Sequence, residues 1–178
     1  EIGTTPDGYR VYTDKTAYEA DMTILINRVK PHTDFEGEIQ SGLCKMSVIG
    51  LGNHRGCASI HRAGFGNFSK TISDAAEIVL RESNISFGIA IVENAIDKTF
   101  HIEAVSKDNF FKKDKELLKL SKIKMPRIQI PEIDILIVDE IGKDISGNGI
   151  DPNIVGRHGP KAVDPDIPKI HWVIVLGL

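Results

Sequence analysis

Short apolar runs alternate with helical patterns along most of this chain. Residues 22–27 and 87–94 have the length of buried strands and end in polar side chains. Between them, residues 67–82 place apolar side chains at helical spacing, and Ser83 ends the pattern. Because this strand–helix–strand order is typical of parallel pairing, the sequence predicts an α/β fold with a mostly parallel sheet and flanking helices.

The remaining patterns indicate how the chain is divided. Residues 100–105 and 133–138 have the composition of further strands, as has the run 172–176, and residues 108–122 are spaced like a helix whose lysines form a solvated face. Two prolines, Pro126 and Pro131, interrupt the chain between these patterns. We therefore expect a first domain within residues 1–124, a linker or crossover at 125–132, and the start of a second α/β domain at 133–178.

A long tract at 139–168 is rich in glycine, proline and aspartate. Turn chemistry alone explains most of its residues, so it is only a weak candidate for the second side of a cleft. A loop of this length in a compact chain is usually functional or poorly ordered.

Composition and charge exclude several classes of protein. The chain has 178 residues, of which 41% are hydrophobic and 26% charged, and this balance excludes a disordered tail. Its formal net charge of -3 offers no basic stripe for nucleic acid. No apolar run approaches the roughly 18 residues of a membrane span, so no membrane partner is expected.

The cysteine content and the chain ends complete this picture. Two cysteines are too few for a disulfide framework, which favours a reducing, cytoplasmic location. The chain opens at Glu1 without a methionine and closes on an apolar run. We therefore expect a piece of a longer protein. The sequence leaves the oligomeric state open.

The densest group of reactive side chains follows the first predicted strand, in residues 27–61. It includes His32, Lys45, His54 and His61. Ligands of open α/β sheets bind beyond the carboxyl ends of strands, so residues 27–32, at the start of this segment, are where the lip of a pocket is expected. The alternative is a polar surface loop, since loops are polar in any case.

Lys45 stands in an apolar, glycine-rich segment, residues 41–52. An apolar setting disfavours the ammonium form, which makes the amine a candidate for covalent attachment. The first-ranked alternative is a lysine that extends to solvent from a helix packing Leu43, Met46 and Ile49 inward. Cys44 beside it is interpreted as a small core side chain more readily than as a reactive thiol.

Recognised catalytic and metal-binding motifs are missing from the sequence. It has no HxH or HExxH zinc pattern, no GxSxG elbow, no phosphate-binding loop of the Walker type and no dinucleotide-binding GxGxxG fingerprint. The histidines outside the segment 27–61 are interpreted as surface or satisfied core residues. Any assignment of chemistry therefore depends on the order of residues within that segment.

Three stretches of the chain, residues 27–35, 41–46 and 49–52, together resemble the nickel-dependent lactate racemase family. The resemblance is strongest over residues 27–66 and lies in their order and spacing. A later stretch, 139–153, resembles uncharacterised members. Membership implies a partial two-domain, racemase-like architecture, in which residues 1–124 belong to the N-terminal cofactor-binding domain.

The resemblance also implies an activity, a cofactor and roles for individual residues. Such an isomerase racemises or epimerises a small 2-hydroxy acid by reversible hydride transfer to a nickel-pincer nucleotide. Lys45 matches the lysine that tethers the cofactor, and His61, sixteen residues later, matches the metal-binding histidine. His54 is the alternative ligand, and His32 matches one of two acid/base histidines.

Parts of the family site do not carry over, and other functions stay open. The second acid/base histidine belongs to an upstream half, so we expect this chain alone to be inactive, and Lys143 is the position considered for a later family lysine. One alternative is a metal-dependent redox or iron–sulfur-linked protein that uses the same lysine and histidines. The other is a non-catalytic small-molecule or metal-binding domain.

Overall fold

A computed structural model describes residues 1–157 and 167–178. His158 and the rest of residues 158–166, which fall in the predicted long tract, lie outside the described residues. In the described part the fold is mixed α/β, with three small sheets and six α-helices. The chain divides into two compact units, one of Glu1–Pro31 and Phe35–Met125, the other of His32–Asp34 and Pro126–Leu178.

The helices and strands confirm most of the elements predicted from periodicity. Those of the first unit are β1 (Gly3–Thr4), β2 (Arg10–Val11), α1 (Lys15–Glu19), β3 (Thr23–Arg28), α2 (Leu43–Lys45), α3 (Asn53–His61), α4 (Phe68–Glu82), β4 (Ile85–Glu93), β5 (Thr99–Ser106) and α5 (Phe110–Lys124). Those of the second are β6 (Glu132–Glu140), α6 (Pro152–Val155) and β7 (Lys169–Gly177). A π-helical turn, Met46–Gly50, joins α2 to the segment before α3.

The main sheet of the first unit has the strand order β3-β4-β5. β3 and β4 are parallel, as the strand–helix–strand pattern predicts, and the crossover between them runs through α2, α3 and α4. β4 and β5 are antiparallel, because the short turn Asn94–Lys98 can only return the chain beside the strand it leaves. β1 and β2 form a separate antiparallel pair.

One face of this sheet forms the core of the first unit. Leu25, Ala90 and Val105, one from each strand, are buried on it. Gly88 on the same face lets the helices approach closely, because a Cβ there would lie 2.7 Å from a Leu43 methyl and 3.0 Å from the Phe110 ring. The predicted apolar face of α4 is entirely buried.

The opposite face of the same sheet is partly open to solvent. Ile24 and Ile26 of β3 and Ile102 of β5 are exposed. The register places Ile26 beside Ile89, which in turn lies opposite Ala104. Helices therefore cover this sheet on one side.

The second unit contains the parallel pair β6–β7. Ile137 in β6 and Trp172 in β7 are 60% and 70% exposed, although both strands are strongly apolar. The segment His32–Asp34 belongs with this unit, because Asn148 donates to the Asp34 carboxylate at 2.7 Å and Asn153 donates to the His32 carbonyl at 3.2 Å.

The expectation of a mostly parallel sheet is not confirmed. The described strands form two parallel pairs and two antiparallel pairs, spread over three sheets. In residues 1–157 and 167–178, no helix combines the length and the apolar character needed to cross a bilayer. The assignment of the regions to a cofactor-binding domain, a linker and a second domain stays a prediction.

Candidate functional site

A cleft of about 240 Å³ opens in the first unit at the carboxyl end of β3. Its lining comes from the end of that strand, the bridge that follows it and the turn after α2: Asn27, Arg28, Lys30, Ser41, Lys45, Met46, Ile49 and Gly50. The carboxyl ends of strands are where α/β proteins place their ligands. Lys45, singled out from the sequence, is therefore part of a cleft in the place where a ligand is expected.

Two contacts hold the walls of this cleft together. The backbone N–H of Lys30 donates to the Ser41 carbonyl at 3.1 Å, in an isolated antiparallel bridge. The Asn27 side-chain amide donates to the Gly42 carbonyl at 2.9 Å. These bonds close the loop 31–40 on itself and bring α2 against the end of β3.

The turn after α2 decides which side chains line the cleft. The N–H of Leu51 donates to the Met46 carbonyl at 3.1 Å, five residues back, which widens the helix by one residue. Leu43, Cys44, Ser47 and Val48 are buried, whereas Met46 and Ile49 are only half-buried and line the cleft. Leu43 is fully buried, and Met46 and Ile49 pack against the core while remaining half-buried at the cleft, so the expectation that the three pack inward is confirmed.

The start of α2 is held by a buried carboxylate, Asp114 of α5. The N–H of Leu43 donates to one carboxylate oxygen at 2.9 Å, and the N–H of Cys44 donates to the other at 2.8 Å. Asp114 is only 2% exposed, and burial raises the pKa of its carboxyl. The two N–H donors supply the partners that a buried carboxylate needs, and in return two otherwise unpaired N–H groups of the helix are satisfied.

Gly42 is required by this arrangement. A Cβ at position 42 would lie 2.5 Å from one Asp114 carboxylate oxygen and 2.6 Å from the other. Any other residue would push the carboxylate away from the helix. Gly42 therefore allows the Asp114 carboxylate to approach the start of α2.

Cys44 is a core side chain, as expected, and is fully buried. Burial and the neighbouring Asp114 carboxylate raise the pKa of its thiol well above the ordinary value. A thiol in this state is inert, since the thiolate is the reactive form. Lys45 is the next residue along, and its side chain is half-buried.

His61 lies at the end of α3 with its ring against aromatic side chains. Its ring centroid is 4.8 Å from that of Phe68 and 6.1 Å from that of Phe65. The Nδ1–H donates to the Cys57 carbonyl one helical turn back, at 2.7 Å, and the Cys57 Sγ lies 3.4 Å from the same nitrogen. This bond places the proton of the neutral ring on Nδ1, so Nε2 carries the lone pair.

His32 has the opposite arrangement and belongs to the second unit. The backbone N–H of Asp34 donates to its Nδ1 at 3.0 Å. Its neutral ring therefore carries the proton on Nε2. His32 lies in the second unit, whereas Lys45 and His61 lie in the first.

The secondary candidates lie on the surface. His54 is exposed on α3, and Lys143 is exposed in the second unit. Among the described residues, no group of three or more His, Cys, Asp or Glu side chains is arranged to hold a metal ion.

Sequence reasoning missed Asp114, although a signal for it existed. It occupies a position on the apolar face of α5, with Phe110 four residues before it and Leu117 three residues after it. A carboxylate among apolar side chains at helical spacing is unusual, because a buried charge needs partners.

No protein-family model matches this chain, and no curated protein is significantly similar to it.

Proposed function

We propose that this chain carries the cofactor-binding lysine of a racemase or epimerase that acts on small 2-hydroxy acids, resembling the nickel-dependent lactate racemases. The supporting observation is that Lys45 lines a cleft at the carboxyl end of β3. The proposal includes the partial two-domain, mostly parallel architecture of that family, which goes further than the mixed α/β fold described above.

The residues present fit the donor set of a nickel-pincer nucleotide. Lys45 would provide the amine of the tether, and the Nε2 lone pair of His61 would provide the protein's nitrogen ligand. When bound, this cofactor supplies an acceptor and donor of hydride for C2 of the substrate. Because such a cofactor brings sulfur and carbon ligands of its own, a single histidine is enough on the protein side.

The hydrogen bond of His61 supports its role as a ligand. Metal-binding histidines usually donate their second ring nitrogen to a carbonyl or carboxylate, which fixes the tautomer and the ring orientation. The bond from Nδ1 to the Cys57 carbonyl has this form. His54 stays the alternative ligand, and within residues 1–157 and 167–178 no bond of this form supports it.

His32 would exchange the hydroxyl proton of the substrate, and its hydrogen bond sets a condition on that role. As a base, the imidazole needs a lone pair directed at the hydroxyl, whereas the Asp34 amide holds the proton of the neutral ring on Nε2. The ring must therefore release the Asp34 amide and carry its proton on Nδ1 before Nε2 can accept a proton. The Asp34 carboxylate, whose nearer oxygen lies 3.8 Å from Nδ1, would then stabilise the imidazolium.

The tether is tested by intact-mass and metal analysis of the chain expressed with nickel and the enzymes that build the cofactor. We expect a mass increment and bound nickel for the wild type, loss of the increment in Lys45→Arg, and its retention in the matched variant Lys112→Arg on the exposed surface of α5. Arginine keeps the positive charge but does not form the covalent bond.

The same experiment separates the alternatives. If a known racemase gains the increment under these conditions and this chain does not, the proposal is wrong. Another metal bound without an increment would then favour the metal-dependent redox or iron–sulfur-linked protein. Neither metal nor increment would favour the non-catalytic binding domain.

A further inference from the structure

We propose that the cleft at the end of β3 is a binding site for the phosphate or carboxylate group of a small anion, and that Arg28 and Lys30 determine its charge specificity. This inference does not depend on the nickel cofactor, since it concerns two side chains that the proposed function does not use.

The first argument is the charge of the lining. Three of the eight lining residues are the cations Arg28, Lys30 and Lys45, and none of the eight is acidic. The whole chain is acidic, with 25 Asp and Glu against 22 Lys and Arg. A cleft whose lining residues include three cations and no acid, in a chain whose net charge is -3, attracts anions to its walls.

The second argument is the hydrogen-bonding capacity of the same walls. Arg28 presents five N–H donors in a planar fork that matches a carboxylate or a phosphate, and Lys30 adds three more on a flexible stem. Ser41, also in the lining, carries a hydroxyl that can donate a hydrogen bond. These groups are donors of the kind that bind oxyanions, and their location at a strand end is where α/β proteins bind ligands.

The third argument is a competitor that the structure already supplies. The Glu93 carboxylate lies 2.8 Å from an Arg28 guanidinium nitrogen, and the Arg28 side chain is 53% exposed. An exposed pair of this kind is weak, so an incoming anion can take over the guanidinium. Glu93 therefore competes with an incoming anion for the Arg28 guanidinium and should oppose anion binding.

The test is a titration of the isotope-labelled chain with inorganic phosphate, followed by the NMR shifts of backbone amides in residues 27–30 and 41–50. We expect saturable shifts in these two segments. The double variant Arg28→Gln, Lys30→Gln should weaken phosphate binding at least about tenfold, because it removes the charge-assisted donors. Lys112→Gln removes the same kind of charge from the surface of α5 and should change the affinity less than twofold.

Glu93→Gln is the more discriminating variant, because removing the competing carboxylate should strengthen phosphate binding by about twofold to fivefold. A variant that only perturbed the fold would weaken binding instead. Titration with lactate distinguishes the two sources of the anionic group: tighter binding of lactate than phosphate indicates the substrate carboxylate, and the reverse indicates a phosphate group.

Absence of saturable shifts in the two segments, or equal weakening by the double variant and Lys112→Gln, would overturn the inference. Unchanged or weaker binding in Glu93→Gln would also overturn it. None of these results bears on the mass increment at Lys45, so failure of the anion site and failure of the proposed function are distinguishable.

Discussion

The two parallel strand pairs of this protein have similar sequences and different surroundings. β3 and β4 bury Leu25, Ala90 and Val92 beneath helices. β6 and β7 are equally apolar, yet none of their residues, all within the described part, is buried. Apolar strands pair in both units, but among the residues that the structure describes only the first unit has long helices whose apolar faces cover a sheet.

This difference shows that pairing and burial depend on different parts of a sequence. A run of branched apolar residues is sufficient to make a strand. Burial requires helices elsewhere in the chain, and in the first unit these are α4 and α5, each fifteen residues long. The only helix in the described part of the second unit is α6, with four residues. The first unit should therefore respond strongly to core substitutions and the second weakly.

The largest expected difference is between two apolar truncations. Phe110→Ala removes a ring that is fully buried in the first unit and should lower the free energy of unfolding by about 3–5 kcal/mol. Ile137→Ala, at a position that is 60% exposed in the second unit, should cost less than about 1 kcal/mol. Denaturant unfolding, with amide exchange to assign the unit that opens, measures both. If both substitutions lowered the free energy of unfolding equally, the proposed difference between the two units would be wrong.

A smaller effect is expected for the buried carboxylate. Asp114→Ala leaves the N–H groups of Leu43 and Cys44 without their partner and should cost about 2–3 kcal/mol. Asp108→Ala, an exposed acid preceding the same helix, should change stability by less than about 0.5 kcal/mol. Amide exchange at residues 43 and 44 should accelerate only in the first variant. If both variants were equally stable, Asp114 would not hold α2.

The smallest effect concerns pH. Because burial raises the pKa of Asp114 above its ordinary value of 3.8, the folded state binds this proton more tightly than the unfolded state. Its contribution to stability is therefore fully present below pH 3.8 and is lost as the pH rises through the folded-state pKa. In the variant Asp114→Asn the side chain at position 114 cannot ionise, so the variant does not lose this stability as the pH rises.

The difference in unfolding free energy between wild type and Asp114→Asn isolates this titration. As the pH rises from about 3 to 7, the unfolding free energy of the wild type should fall relative to that of Asp114→Asn. The titrations of Glu38 and Glu103, whose pKa values are lowered by hydrogen bonds from Lys115 and Lys113, are common to both proteins and cancel. A difference that stayed constant across this range would show that the Asp114 pKa is not raised.

Periodicity was sufficient to predict the strands and long helices. Residues 87–94 were predicted as a strand and lie within or beside β4, and the helix predicted at 67–82 corresponds to α4. The two-residue strands β1 and β2 carry no periodic signal, because two residues are too few for one. The antiparallel turn back into β5 depends on five residues of turn geometry, which the apolar pattern does not encode.

The candidate site was predicted in part, for a similar reason. The position of residues 27–32 after the first strand predicts a pocket lip, and Asn27, Arg28 and Lys30 line a cleft there together with Lys45. Leu43, Met46 and Ile49 pack inward as their spacing predicts, whereas the π-helical turn at Met46–Gly50 has no signal in the apolar pattern. The association of His32 with Asn153, far along the chain, depends on tertiary packing that no local pattern encodes. The roles of His32, Lys45 and His61 stay predictions.

The fit between Gly42 and Asp114 has an evolutionary consequence. A side chain at position 42 would occupy the space of the carboxylate, and without that carboxylate two amides lose their acceptor. Neither position can mutate first without a loss of stability. Descendants of this sequence should therefore keep both residues or replace them together, and a lineage that has lost one should show a second acceptor for the start of α2.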